Sequence, residues 1–178
     1  GAMITGPLGK KWGKKKLFII ALLFSAATNS LMVFYSAGDI YLIFATGMLS
    51  EFASAIFPTL FFAMLGDAAD FSEFRNHRRA TGLVYSAGSF ATKFGGGIAG
   101  AMIGLVLGAF AYNGQDASSI AGAVPGIVML MSWIPALVAV LAAIIMSLYP
   151  LNQSKMDEIT LELNQRRLNE QSNIKIDS

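Results

Sequence analysis

The 178-residue sequence has no cysteine, one histidine and few charges. Without cysteine, a disulfide scaffold and a thiolate metal site are excluded. The lone histidine, His77, leaves little for imidazole-based metal binding or catalysis. Charged residues make up 13% of the chain, against about 25% in ordinary globular domains. What fills the space is apolar: 54% of residues are hydrophobic, above the usual range of roughly 45–50%. Such a composition excludes a disordered tail and argues against a soluble single domain. The formal net charge of +2 is unremarkable, so the information lies in where the charges fall.

They fall in clumps separated by long gaps. Between Lys16 and Asp39 lie 22 uncharged residues. Between Asp39 and Asp67 lie 27, interrupted only by Glu51. Between Arg79 and Asp116 lie 36, interrupted only by Lys93, and between Asp116 and Lys155 lie 38 with no charge. A helix needs about 20 mostly apolar residues to cross ~30 Å of hydrocarbon at 1.5 Å per residue. Each gap therefore predicts one spanning helix, at residues 17–35, 40–66, 80–112 and 120–148. A soluble four-helix bundle would need polar stripes that these segments lack. A signal peptide does not explain apolar segments that recur along the whole chain.

Lys and Arg set the orientation. One clump holds Lys10, Lys11, Lys14, Lys15 and Lys16; the next Arg75, Arg78 and Arg79; the last Lys155, Arg166, Arg167 and Lys175. The connections 36–39 and 113–119 hold no basic residue. With four spans, all basic segments fall on one side. The positive-inside rule then predicts cytoplasmic locations for residues 1–16, 67–79 and 152–178 of a multi-pass cell-membrane protein.

Individual segments add detail. Residues 1–16 read as the end of an earlier apolar element followed by a tight basic turn. The sequence opens on Gly1, so either Gly1–Met3 is a cloning scar or the chain starts inside a longer protein. Pro58 is expected to kink the second span. In the third span Gly96, Gly100, Gly104 and Gly108 recur every four residues. That stripe suits close helix packing, or a sliding contact during conformational change. The fourth span carries Pro125 and Pro135 and no charge, and its lipid-like composition predicts a peripheral position. After Pro150, Ser154 to Asp157 form a capping-box-like pattern. Met156, Ile159 and Leu163 then predict a short amphipathic helix on the cytoplasmic surface, with a disordered tail from Asn169.

Two charges lie inside the spans. A charge near the bilayer centre costs roughly 2.5–3.5 kcal/mol on insertion scales, so it pairs or lines a polar pathway. Counted from the flanking charged segment, Lys93 and Glu51 lie at depths of roughly 21 and 24 Å. They are placed to meet across antiparallel helices as a static pair, or to face a water-filled cavity. Alternatively, Glu51 reaches interfacial water. In the charged segment, Asp67, Asp70 and Glu73 stand three apart, and their mutual repulsion predicts pairing with Arg75, Arg78 or Arg79. His77 reads as a solvated loop residue.

The run Gly66-Asp67-Ala68-Ala69-Asp70-Phe71-Ser72-Glu73-Phe74, then Arg79, Tyr85-Ser86 and Lys93 followed by glycines, resembles the glycoside–pentoside–hexuronide:cation symporters of the major facilitator superfamily. Melibiose permease is the best-known relative. Gly6-Pro7-Leu8-Gly9-Lys10-Lys11-Trp12-Gly13-Lys14-Lys15 looks like the superfamily's basic loop between helices 8 and 9, with Lys10 where an acid often stands. The resemblance implies an all-α polytopic membrane protein: a four-helix transmembrane region over residues 17–151, corresponding to helices 9 to 12 of twelve, plus the tail. It implies a substrate and cation cavity near Lys93 and Tyr85, to which intramembrane Glu51 is added on its depth. It places Asp67, Asp70, Glu73 and Arg79 in a cytoplasmic gate, which Arg75 and Arg78 join as charge partners.

The expected function is the C-terminal part of a sugar or glycoside:cation symporter working by alternating access. The expected partners are the sugar, the bilayer and the N-terminal half of the same transporter. A sodium ion or proton would couple transport, with no cofactor, catalytic group, metal site or nucleic acid. The alternative is an autonomous four-helix membrane protein, for example a small oligomeric exporter that uses Glu51 as its exchanging carboxylate. An intramembrane enzyme is disfavoured, since no nucleophile and base stand at matched depth.

Overall fold

The computed structural model describes residues 2–36, 38–78 and 80–176, and side chains within 5–9, 11–36, 38–78 and 80–169. Among the described residues the fold is all helical. In chain order the helices are α1 (Ala2–Trp12), α2 (Lys14–Leu31), α3 (Ile40–Ser54), α4 (Ile56–Asn76), α5 (Thr81–Ala109), α6 (Ser119–Met131), α7 (Trp133–Ser147) and α8 (Gln153–Ile176). A 3-10 turn, Met32–Phe34, extends α2. Four stretches are long and apolar enough to cross a membrane: Lys14–Phe34, Ile40–Asn76, Thr81–Ala109 and Ser119–Ser147. They match the four predicted spans.

Proline explains why two spans are built of two helices each. A proline at position i cannot bond the carbonyl at i−4, and its ring crowds that group. Pro58 acts on Ser54, the last residue of α3, and Pro135 acts on Met131, the last residue of α6. The joints fall at Ala55 and Ser132. Ser132 is fully buried, and its hydroxyl donates to the Val128 carbonyl. Gly13 makes a third break, between α1 and α2, with φ 82°, a backbone state that favours glycine.

The centre of the bundle is α2. Its Leu22 and Ala26 pack against Ala136, Ala139 and Ala143 of α7. Small side chains let the two backbones approach closely, which is how helices associate where lipid supplies no hydrophobic drive. On its other flanks, Leu17 and Ala21 meet Ile56 and Leu60 of α4, and the Phe18 and Phe57 rings lie 5.6 Å apart. Toward α3, Asn29 accepts a hydrogen bond from Ser50 at 3.3 Å and donates to the Ser25 carbonyl at 2.9 Å. The charge-free fourth span packs on α2 through its alanine face, while Leu137, Leu141, Ile144 and Ile145 of α7 stay exposed. The helix with the least cover is α5, where Gly88 is the only described residue that is buried.

Two boundaries differ from expectation. The segment from Asp67 is no loop: α4 continues through it to Asn76 and stops at His77, whose φ of 53° is left-handed. Nor is the tail helix short. It starts one residue after Asn152, whose side chain accepts from the Lys155 amide at 2.9 Å, and it runs to Ile176. Asn152 caps the helix, not the Ser154 pattern. Met156, Ile159 and Leu163 are buried as their spacing predicts, but against Phe71 and Phe74 of α4 and Tyr149, not against a membrane surface.

Candidate functional site

Two clusters carry the predicted functional residues. The first lies on α5. Lys93 stands about 18 Å along a helix about 42 Å long, at 1.5 Å per residue. It is exposed, and it makes no hydrogen bond or ion pair with any described residue. Glu51, on α3, is exposed and equally without a partner among the described residues. The two are therefore not joined as a static pair. Tyr85 turns toward α4, where its hydroxyl donates to the Phe62 carbonyl at 3.4 Å.

The glycine stripe is open within the described residues. A Cβ built on Gly96, Gly100, Gly104 or Gly108 meets nothing within 4 Å. These residues pack against no described part of the chain. The close approaches occur at two other glycines. A Cβ on Gly88 would lie 2.3 Å from Leu65 Cδ1, and one on Gly126 would lie 2.6 Å from Phe110 Cδ2. Gly88 thus sets the α4–α5 approach, and Gly126 seats α6 against the end of α5.

The second cluster lies where α1, α2, α4, α7 and α8 converge. The break at Gly13 aims Lys14, the first residue of α2, at the second half of α4. Its Nζ donates to both oxygens of Asp67, at 2.6 and 2.8 Å. Less than two turns farther along, Arg167 of α8 donates to both oxygens of Glu73, at 3.2 and 3.1 Å. Arg166 lies over the Phe74 ring, 5.4 Å from its centroid, and donates to the Phe74 carbonyl at 3.4 Å. It also stands 3.3 Å from His77 Nδ1 and is braced by Glu162. His77 is exposed, as expected of a solvated residue, but it is tied to the tail.

Asp67 and Glu73 thus find cations, and among the described residues these are neither Arg75 nor Arg78. Arg75 and Arg78 are exposed and form no ion pair among the described residues, and Asp70 likewise has no described partner. Arg79 lies outside the described residues. The described partners, Lys14 and Arg167, are 53 and 94 positions away, beyond the reach of any local spacing rule.

Sequence reasoning also missed Tyr149. Its hydroxyl is buried with no partner among the described residues. Burial, and after it the charge of Asp67, pushes its pKa up to about 12. On the opposite face, the Ser118 hydroxyl and amide both donate to Asp116, which lowers its pKa.

A family model described as MFS/sugar transport protein matches residues 1–153. An uncharacterized symporter of Bacillus subtilis is 31% identical over 154 residues, 86% of this chain and 33% of the relative. A putative 2,3-dihydroxypropane-1-sulfonate exporter of Salmonella typhimurium is 31% identical over 159 residues, 89% of this chain and 34% of the relative. An isoprimeverose transporter of Lactiplantibacillus pentosus is 31% identical over 152 residues, 85% of this chain and 32% of the relative. The chain spans about a third of the length of these relatives. No solved structure matches it.

Proposed function

From the premise that this chain belongs to the MFS/sugar transport protein family and is a multi-pass membrane protein, we propose that it forms the C-terminal part of a secondary transporter for a sugar or glycoside. The observation that carries the proposal is Lys93. It is an exposed, unpaired cation at mid-span, and a charge at such depth persists where it meets a polar partner or a water-filled path. That partner is substrate and solvent in a central cavity, closed from the other side by the N-terminal half. The open stripe from Gly96 to Gly108 lies on the same helix and would take a helix of that half.

In this reading, a coupling cation, sodium or proton, and the sugar favour the same conformer, so each raises the affinity of the other. The two halves rock around the site. The basic ends of the spans face the cytoplasm, in keeping with the Lys and Arg asymmetry. There Asp70, Arg75, Arg78 and Arg79 form the part of the gate that pairs across the halves. Asp67 and Glu73, held by Lys14 and Arg167, supply its rigid base. The names of the relatives fit a transporter, including a putative glycoside/cation symporter of Escherichia coli that is 30% identical over 139 residues.

The test is uptake of labelled sugars by the complete protein in vesicles, with and without sodium or proton gradients. Gradient-driven uptake that is lost in Lys93→Ala is the expected result. Uptake and coupling that survive Lys93→Ala would remove the lysine from the mechanism.

A further inference from the structure

A cavity of about 320 Å³ opens where α1 gives way to α2 and the chain enters α8. Trp12, Lys15, Lys16 and Ile19 line one wall, and Gln153 and Ser154 line the other. Among the described residues that line it none is acidic. Asp67 is taken up by Lys14, and Asp157 lies behind the wall, bonded to the Gln153 amide. The lining itself thus carries two cations and no acid.

Its two lysines differ in a useful way. Lys15 Nζ is held in place by the carbonyls of Ser147 and Tyr149, at 2.8 and 2.7 Å. An ammonium has three donors, so one remains. Both acceptors are neutral, and the full positive charge stays available at a fixed point. Lys16 is exposed and bonds no described residue, so it is free to close over a guest.

The surroundings point to the kind of guest. The cavity lies at the end of a membrane-spanning stretch, where the bilayer surface must be. Trp12 is 46% exposed at its rim, and tryptophan favours the headgroup level. Below it run the exposed apolar side chains Ile20 and Leu23 of α2, Ile145 of α7 and Leu148 just after it. A polar, cationic chamber continuous with an apolar strip matches a molecule with an anionic head and acyl tails.

We propose that this cavity is a binding site for an anionic glycerophospholipid. Lys15 and Lys16 receive its phosphate, and its acyl chains lie along the exposed α2–α7 strip. The site does not depend on the transport reading, only on the chain spanning a bilayer.

The test uses full-length protein, purified in detergent and offered phosphatidylglycerol, phosphatidylcholine or soluble sn-glycerol 3-phosphate. Native mass spectrometry measures what is retained. Phosphatidylglycerol should be retained in preference to phosphatidylcholine. Lys16→Gln should lower that preference about 5-fold, and K15Q/K16Q about 30-fold. Because Lys15 also ties α2 to α7, the single Lys16 variant keeps the test valid if the double variant misfolds. K11Q/K155Q removes the same charge from residues that do not line the cavity and should keep the preference within about twofold, since an exposed charge that makes no direct contact is screened. Three results would overturn the proposal: no preference in the wild type, equal loss in both double variants, or displacement of the lipid by the soluble phosphate.

Discussion

The α2–α7 seam and the outer face of α5 are both built from small residues, yet one is closed and the other open. Alanines at 136, 139 and 143 meet Leu22 and Ala26 within the chain. Glycines at 96, 100, 104 and 108 meet nothing. The contrast repeats at the end of α4, where Asp67 and Glu73 are paired but Asp70, Arg75 and Arg78 have no described partner. A small-residue period marks a helix able to pack closely; it does not say that the partner is in hand. Residues left open share α5 and the end of α4, and those are the surfaces given above to substrate and to the other half.

The largest effect should come from the open face. Lys93→Ala should reduce gradient-driven sugar uptake by the complete protein about 100-fold, the equivalent of ~2.7 kcal/mol, as read from initial rates in vesicles. Next comes a direct contrast of the two small-residue faces. Ala139→Leu overpacks a filled seam and should cost about 1–3 kcal/mol in equilibrium unfolding in detergent. Gly100→Leu in the 178-residue chain should change stability by no more than about 0.5 kcal/mol. The same Gly100→Leu in the complete protein should abolish transport if a partner helix lies there. Equal costs for the two substitutions in the short chain would erase the distinction.

Smaller effects sharpen the closed side. A double-mutant cycle on Lys14 and Asp67 should give a coupling of about 1 kcal/mol, and one on Glu73 and Arg167 about 0.5 kcal/mol, because both pairs are partly solvated. Tyr149 gives a pH signature. Its folded pKa, about 12, exceeds the ordinary value of 10.0. The contribution is thus fully present below about pH 10 and fades as pH rises toward 12. Absorbance titration should show one tyrosine ionising last, and Tyr149→Phe should remove that step.

Much of the fold was legible because crossing a bilayer demands uncharged length, and 13% charge leaves the gaps in plain view. The break near Pro58 followed from proline chemistry. The α4 extension did not, because Asp67, Asp70 and Glu73 suit a solvated loop as well as a helix end, and only the docked α8 gives Phe71 and Phe74 an apolar partner. The α2–α7 seam did not show in the hydropathy, which measures affinity for lipid, whereas Ala136, Ala139 and Ala143 act through size. At the candidate site, the sequence revealed which groups carry charge but not which groups meet. Pairings across 53 and 94 positions are set by tertiary contact, and no spacing rule encodes them.

The Lys15 bridge has a consequence for synthesis. Its acceptors on Ser147 and Tyr149 lie 132 and 134 positions downstream. At about 5–20 residues per second, a ribosome needs roughly 7–27 s to cover that distance. For that interval α2 sits in the bilayer with its α7-facing side uncovered and its lysine untied. The fourth apolar span of this sequence completes the α2 seam, so a nascent chain stopped before Ser147 lacks the two carbonyls that tie Lys15.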